Sequence, residues 1–132
     1  MLSVSDPWYT YLKEETKTLE GRLSIPSKQK FVGDYLNKVI TISRDANPND
    51  NFQAILTDYY LYDSFYHAVS YYPNLLPSIP SISEGANIYR APLLHNLQLW
   101  KYRNDSEVGE DKFFTEANEK RYGVILFVLC KI

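Results

Sequence analysis

Three charged side chains of both signs, Lys17, Glu20 and Arg22, lie within six residues of one another near the N-terminus. Apolar and polar side chains alternate over residues 17–24, which predicts a strand with apolar residues on one face. Glu20 and Arg22 then share the other face, about 6.5–7 Å apart at the backbone, so they can pair or share a ligand. Lys17 can reach the same place from the start of the strand. The spacing alone also fits a surface ion pair on an edge strand, which stabilises little.

A carboxylate beside two cations and two aromatic rings suits a nucleotide held out of the base stack. Arg22 and Lys17 can bind a phosphate or a carbonyl oxygen, and Glu20 can accept a hydrogen bond from an exocyclic amine or a ring N–H. Trp8 or Tyr11 would supply a stacking face. The alternative for both rings is ordinary packing of a helix against the sheet. All five residues are therefore candidates for binding a nucleic acid.

A helix is predicted ahead of the strand, because Asp6 can cap a first turn and Pro7 suits the first helical position. Trp8, Tyr11 and Leu12 are spaced i, i+3 and i+4, so they would form its apolar face. The helix would lead directly into the strand that carries the charged residues.

Further strands and turns are predicted from the spacing of apolar residues and turn formers. Residues 25–34 indicate a break followed by a turn. Residues 35–44 alternate as a strand, residues 45–51 are dense in turn formers, and residues 52–62 would be the partner strand. Residues 122–132 would form a final buried strand that closes the sheet.

A second helix is predicted after the strand pair, capped by Asp63 or Ser64 and ended by Pro73. Its apolar stripe would comprise Phe65, Ala68, Val69 and Tyr72. A short helix beginning at Ser81 or Ser83 is expected to run through residue 90. Within residues 93–121, a Leu- and Trp-containing segment (93–100) precedes an acidic turn (104–111).

Composition indicates one ordered domain in a reducing compartment. The chain has 132 residues, 45% of them apolar, and a net charge of −2, so no global basic field is present. Cys130 is the lone cysteine and falls in an apolar run, where a buried, inert thiol is expected. No secretion signal and no run of 18 apolar residues is found, so an intracellular protein, cytoplasmic or nuclear, with no membrane contact is expected.

Most catalytic and cofactor motifs are missing from the sequence. It has no glycine-rich phosphate loop, no paired metal-ligand spacing and no Gly-x-Ser-x-Gly turn. His67 and His95 lie among apolar residues and are interpreted as half-buried packing residues. Neither a metal nor another cofactor is expected.

Short motifs in a characteristic order suggest a family. The pattern of Trp8, then Lys17-Thr18-Leu19-Glu20-Gly21-Arg22, then Gly33-Asp34 ahead of an apolar strand resembles the ASCH domain family, a small β-barrel related to PUA RNA-binding domains. Further motifs follow in the family's order: Ser64-Phe65, Asn74-Leu75-Leu76-Pro77, Ile88-Tyr89-Arg90 and Tyr122-Gly123-Val124. The resemblance spans nearly the whole chain. It implies a single α+β domain over residues 1–132, a PUA-like/ASCH β-barrel with flanking short helices.

The chain departs from the family pattern in two places. Glu15 stands where many members have Gly, and residues 91–121 make a longer connection than the family usually has. Some bacterial members resemble this chain and are enzymes that cleave RNA or deacylate N-acetylated cytidine, the latter with a threonine nucleophile three residues after the lysine. Glu20 occupies that position here and lacks the hydroxyl that covalent acyl transfer requires.

Three functions are compatible with these features, and the resemblance favours the first. The first is an RNA-binding module that holds single-stranded RNA or a modified nucleotide in a cleft lined by Lys17, Glu20 and Arg22. The second is a metal-independent ribonuclease or nucleoside amidohydrolase, in which Glu20 or Lys17 removes a proton, Arg22 holds the developing charge and Tyr11 relays a proton or contacts a phosphate. The third is a protein-interaction module that acts through residues 93–121.

Overall fold

Short helices alternate with the strands of one sheet. The computed structural model describes residues 2–72 and 116–132. The strands are β1 (Leu2–Val4), β2 (Leu19–Leu23), β3 (Val39–Arg44), β4 (Asn51–Tyr62) and β5 (Val124–Lys131). The helices are α1 (Trp8–Lys13), α2 (Pro26–Tyr35), α3 (Phe65–Tyr71) and α4 (Glu116–Tyr122).

The sheet is mixed, with its strands in the spatial order β1-β3-β4-β5-β2. β1 is parallel to β3, and every other neighbouring pair is antiparallel. The predicted final strand is confirmed, and it lies inside the sheet between β4 and β2. One extra residue of β4 between Leu56 and Asp58 forms a bulge against β5. The sheet curls into half a barrel, so the fold is mixed α+β and barrel-like, as expected.

Two apolar cores lie on the two faces of β5. The inner core comprises Leu2, Val4, Tyr9, Leu12, Val32, Ile40, Ile42, Ala54, Leu56, Ile125, Phe127 and Leu129. The outer core comprises Leu19, Leu23, Ile25, Phe65, Ala68, Val69, Val124 and Leu126. Odd-numbered residues of β5 therefore enter one core and even-numbered residues enter the other. Because both faces of this strand are buried, its sequence is continuously apolar rather than alternating.

Residues 25–34 form most of a helix and not the predicted turn. Helix α2 begins at Pro26, which is tolerated in the first helical turn because an N–H there would lack an intrahelical partner. Val32 belongs to the inner core, and Phe31 and Leu36 pack against it. The prediction treated the proline as a chain break, whereas here it starts the helix.

Helix α1 is present as predicted, but Asp6 does not cap it. The helix has no side-chain cap, and the Asp6 carboxylate instead pairs with Arg44, with 3.2 Å between Oδ2 and Nε. This ion pair ties the start of α1 to β3. Tyr9 is the fully buried ring of the helix, at 0% exposure, whereas Trp8 and Tyr11 of the predicted stripe are half-buried.

The hairpin and the second predicted helix are confirmed. The turn after β3 joins it to β4 with backbone bonds such as Asp50 N–H to Asn47 O, 2.9 Å. Ser64 caps α3, since its Oγ accepts a hydrogen bond from His67 N–H at 3.2 Å. Three residues of the predicted α3 stripe are buried. The expectation for His67 is wrong, because its side chain points away from both cores and is exposed.

The prediction of a buried thiol at Cys130 is wrong, because this residue is exposed. Near its end, β5 pairs with β4 alone among the described strands. Cys130 consequently lies outside the two cores formed by the described residues, although the apolar run of residues 124–129 ends at its neighbour.

Several predictions lie outside the described residues. They are the helix end at Pro73, the short helix up to residue 90, His95, and the segments 93–100 and 104–111. Of the long connection only its last part is described, and residues 116–121 are helical there. No helix within residues 2–72 and 116–132 combines the length and apolar character needed to cross a membrane.

Two leucines of β4 provide a test of the inner core. Leu56 is fully buried, whereas Leu61 on the same strand is 60% exposed. Leu56→Ala should lower the free energy of unfolding by about 2–5 kcal/mol, because it leaves a cavity in the inner core. Leu61→Ala should change it by less than about 1 kcal/mol. Urea denaturation followed by circular dichroism measures both; equal effects would contradict the described burial.

Candidate functional site

Lys17, Glu20 and Arg22 form a connected cluster, called the charged triad below. Lys17 Nζ lies 3.5 Å from Glu20 Oε1, and Arg22 Nη2 lies 2.9 Å from Glu20 Oε2. Each carboxylate oxygen therefore faces its own cation. In the register of β2 with β5, Glu20 is opposite Phe127 and Arg22 is opposite Ile125. Opposed residues of antiparallel strands share a face, so both charged residues start from the inner-core side of the sheet.

The charged triad is buried, so it is not the surface ion pair that its spacing also allowed. The exposed fractions of the side chains are 0% for Lys17, 8% for Glu20 and 19% for Arg22. Arg22 is thus the member that solvent reaches most easily. A ligand from solution would meet the Arg22 guanidinium first, with the other two charges beneath it.

Burial changes the acid–base behaviour of Lys17. Loss of hydration lowers the pKa of its ammonium group from 10.5 to about 8, and the Arg22 charge acts in the same direction. The Glu20 carboxylate opposes this shift by attraction and hydrogen bonding. Near neutral pH the uncharged amine is therefore more populated at Lys17 than at a lysine in water.

Glu20 remains ionised although it is buried. Burial alone would raise the pKa of its carboxyl group, but the charges of Arg22 and Lys17, with their hydrogen bonds, outweigh this and hold the pKa below its usual value. With both cations protonated, the triad carries one net positive charge. Its charge therefore favours an anionic ligand.

Arg22 also joins the two edges of the sheet. Its Nη2 donates a second hydrogen bond, of 2.7 Å, to the carbonyl oxygen of Ser3 in β1. β1 and β2 stand at opposite ends of the strand order, so the curled sheet brings them near each other. The gap between these strands, residues 2–4 and 19–23, is called the seam below. The guanidinium therefore closes one point of the seam.

The hydrogen bonds of β2 show which backbone groups face the seam. Thr18 O accepts from Leu129 N–H, and Ser24 N–H donates to Gly123 O. Even-numbered residues of β2 therefore bond to β5, and the odd-numbered Gly21 directs its N–H and C=O to the other side. The backbone between Glu20 and Arg22 thus borders the seam.

Trp8 and Tyr11 lie together on α1. Their ring centroids are 6.0 Å apart and the rings are tilted by 47°. Trp8 packs against both apolar cores, so part of its surface has the packing role that was the alternative to stacking. Tyr11 is linked to the charged triad through the backbone, because Lys17 N–H donates to Tyr11 O at 3.1 Å.

A small cavity of about 160 Å³ lies beside Lys17. Its wall includes Thr57 at the bulge of β4, and Cys130 and Lys131 at the end of β5. These residues are 40 or more positions from Lys17 along the chain, so local spacing gives no signal for their contact with it.

An ion-pair network at Asp50 was also missed, and it fixes α1 to the hairpin. Asp50 Oδ1 accepts a 2.8 Å hydrogen bond from Tyr9 Oη and lies 3.1 Å from Lys13 Nζ, while Oδ2 lies 2.9 Å from Arg44 Nη1. Burial, followed by the hydrogen bond to Asp50, raises the pKa of Tyr9 to about 12. The partners lie in distant parts of the chain, so local spacing gives no signal for them.

Metal-binding side chains do not cluster in the part of the chain that the structure describes. No group of three or more His, Cys, Asp or Glu residues occurs there with a geometry suited to a metal ion. Glu20, the carboxylate of the charged triad, is already paired with two cations.

The depressed pKa of Lys17 predicts a specific dependence of stability on pH. Between pH 8 and 10.5 the unfolded chain binds more protons at this residue than the native chain, so the free energy of unfolding should rise with pH. From pH 8 to 9.5 the rise should be about 1–2 kcal/mol. Urea denaturation at both pH values should show it in the wild type and in Lys30→Met, whose residue is exposed.

Lys17→Met should lose this contribution. Ionisation of the tyrosines affects the wild type and Lys17→Met alike, so it does not account for a difference between their slopes. Equal pH slopes for the wild type and Lys17→Met would contradict a buried lysine of lowered pKa.

Two solved structures are similar to almost the whole chain. The crystal structure of the hypothetical protein PH0355 has a TM-score of 0.66 at 20% identity, and the match covers 99% of this chain and 96% of that one. The solution NMR structure of protein PF0455 from Pyrococcus furiosus has a TM-score of 0.60 at 20% identity, with coverage of 99% and 94%. No protein-family model matches the chain, and no curated protein matches it. The comparisons therefore show a shared fold, and membership of the ASCH family stays a prediction from the sequence motifs.

Proposed function

We propose that this chain is an ASCH-like, PUA-related RNA-binding module that holds single-stranded RNA or a modified nucleotide over the charged triad. The observation that supports this function most directly is the buried cluster of one carboxylate and two cations, with Arg22 partly exposed above it. A net positive charge in a site of low dielectric attracts a phosphate more strongly than a surface lysine does.

Arg22 has donors left for such a ligand. A guanidinium group carries five N–H donors, and both hydrogen bonds that Arg22 makes with the described residues use Nη2. Nη1 and Nε therefore keep N–H donors for an anionic oxygen while the bonds to Glu20 and Ser3 persist. Glu20 and Ser3 also fix the plane of the guanidinium, so the directions of its remaining donors are set before a ligand binds.

The neighbouring rings support the same function. Tyr11 is half-buried, and α1 connects to the triad through the backbone bond to Lys17. A base that leaves its stack could lie on the exposed part of the Trp8–Tyr11 pair, as bases do on aromatic side chains of other RNA-binding modules.

Binding of a 5′-fluorescein single-stranded RNA 12-mer tests this proposal by fluorescence anisotropy, in EDTA at 50 mM salt. Arg22→Gln should weaken binding about tenfold, since it removes a charge-assisted contact. Arg22→Lys should recover part of the affinity, because it restores the positive charge but not the planar guanidinium. Lys30→Gln, on the exposed face of α2, is the control and should bind like the wild type.

Circular dichroism and urea denaturation of each variant separate loss of binding from loss of fold. Equal affinities for folded Arg22→Gln and Lys30→Gln would contradict the proposal. Glu20→Gln provides a second comparison, because it makes the triad more positive while removing an acceptor for base donors. It should keep or raise total affinity and reduce discrimination among bases.

A metal-independent hydrolase is the second candidate, and the buried Lys17 favours it. An amine with a pKa of about 8 is a competent general base near neutral pH. Glu20 is a weaker base, because two cations hold it ionised. For RNA, neutral Lys17 would take the proton of a ribose 2′-hydroxyl, the oxygen would attack the adjacent phosphorus, and the 5′-oxygen would leave and be protonated by water. Arg22 would hold the added negative charge on the phosphate.

The hydrolase predicts a characteristic pH profile. On denaturing gels in EDTA, cleavage of end-labelled RNA should rise from pH 6 and level off above about pH 8. Glu20→Gln should move this rise to lower pH, because the carboxylate raises the pKa of Lys17. Lys17→Met should abolish cleavage and Lys30→Met should not. Intact RNA at every pH with the wild type would exclude the ribonuclease.

A further inference from the structure

A second open site lies next to the end of β2. It is a groove of about 610 Å³ between the C-terminal end of β4, the start of β5 and α4, and is called the α4 groove below. The lining residues that matter here are Ser24, Gln29, Tyr62, Lys120, Arg121 and Tyr122. Its volume lies in the range of small-ligand sites.

Two exposed cations line one wall of the α4 groove. Lys120 and Arg121 are both exposed, and neither forms an ion pair with a described residue. The Arg121 guanidinium lies over the Tyr122 ring, 5.0 Å from its centroid. This contact orients the cation beside an aromatic surface, an arrangement used to bind single-stranded nucleic acids.

Two carboxylates also line the α4 groove. Glu119 is 3% exposed, and its Oε1 accepts a 3.0 Å hydrogen bond from Phe65 N–H. Its carboxylate is therefore directed into the protein and not into the groove. Asp63 is exposed and would repel a phosphate on its side. A bound polyanion would therefore follow the wall formed by Lys120 and Arg121.

Ser24 connects the α4 groove to the charged triad. It follows β2 directly, and its backbone N–H continues the ladder to Gly123 O at 3.0 Å. Ser24 and Arg22 are two residues apart along extended backbone, so they share a face and lie about 6.5–7 Å from each other. One residue that lines the groove therefore lies two positions along the chain from the triad member that solvent reaches most easily.

An exposed tyrosine adds a stacking surface at the same end of the sheet. Tyr62 is one of the residues that line the α4 groove, and its ring stacks on Tyr71, with centroids 5.3 Å apart and an angle of 19°. Tyr71 is 70% exposed, so one ring face contacts Tyr62 and the other faces solvent. Such a ring can accept a base of any identity.

We propose that the α4 groove binds the nucleotides next to the one held at the charged triad, so that the ligand is a single-stranded polynucleotide and not a free nucleotide. Lys120 and Arg121 contact the phosphates, and Tyr71 stacks a base. This inference rests on the proposed function, because it assigns the triad and the groove to one continuous strand. It adds the length of the ligand and a second set of contacts.

The test compares ligands of different length and variants of matched charge. Binding of CMP, a trinucleotide and an RNA 12-mer is measured by competition against a fluorescein-labelled 12-mer in EDTA at 50 mM salt. The test variant is Lys120→Ala/Arg121→Ala, and the control Lys30→Ala/Lys38→Ala removes two exposed lysines elsewhere. All four side chains are exposed, so both variants should fold.

For the test variant, 12-mer affinity should fall about tenfold while CMP affinity stays unchanged. The negative slope of log affinity against log salt should become shallower by about 1.4, or 0.7 for each lost phosphate contact. Tyr71→Ala should weaken binding of the 12-mer and not of CMP. The control variant should bind both ligands like the wild type.

Two results would overturn the inference, and a third outcome separates it from the proposed function. Equal 12-mer affinities for the test and control variants would exclude the α4 groove, as would a wild type that binds CMP as tightly as the 12-mer. In the latter case, weakened CMP binding by Arg22→Gln would still support the triad. Conversely, 12-mer binding that depends on Lys120 and Arg121 but not on Arg22 would support the groove and refute the triad.

Discussion

The carboxylate of Glu20, held out of water between two cations, is the constraint on which the N-terminal half of the fold depends. A buried carboxylate is tolerated only when it is paired, and removal of either cation would leave one carboxylate oxygen without the cation that faces it. Lys17 and Arg22 approach it from different directions. Lys17 is in turn fixed to α1 by its backbone bond to Tyr11. The positions of α1 and β2 and the start of the half-barrel are therefore coupled through one acid.

Arg22 extends this coupling across the sheet. In a fully closed barrel, backbone hydrogen bonds would join the first and last strands. Here the guanidinium bonds to Glu20 and to the carbonyl of Ser3, so a side chain bridges the two edge strands. β1 has only three residues, and this bond gives it a second attachment besides its parallel pairing with β3. Because both bonds use Nη2, the remaining donors can bind an anion without opening the seam.

The sequence predicted the parts of the fold whose signals are local. The hairpin turn, the capped helix after β4 and the last strand are each specified by a short run of residues within the element itself. Two-residue spacing also placed Glu20 and Arg22 on one face of the strand, close enough to pair or to share a ligand. Helix α2 was missed because it places few apolar residues in the core and begins with Pro26, which resembles a break.

The long-range part of the site could not be predicted in the same way. Ser3 is 19 residues from Arg22. It contributes a backbone carbonyl, which every residue type has, so its identity gives no signal of the contact. β1 itself is too short for a periodic signal. The burial of Lys17 depends on residues from β4 and β5 around it, so its lowered pKa is a property of the folded chain. Spacing identified the charged residues, whereas their burial and the seam required the structure.

The bulge in β4 decides which aromatic side chains meet helix α3. Before it, the even-numbered Leu56 faces the inner core; after it, the even-numbered Tyr60 lies opposite Leu126 on the outer-core side. One unpaired position therefore reverses the relation between residue number and sheet face within a single strand. In an unbroken ladder, Tyr59 and Leu61 would face α3 in place of Tyr60 and Tyr62. The aromatic stacks that join β4 to α3 thus depend on the number of residues in the strand as much as on their identity.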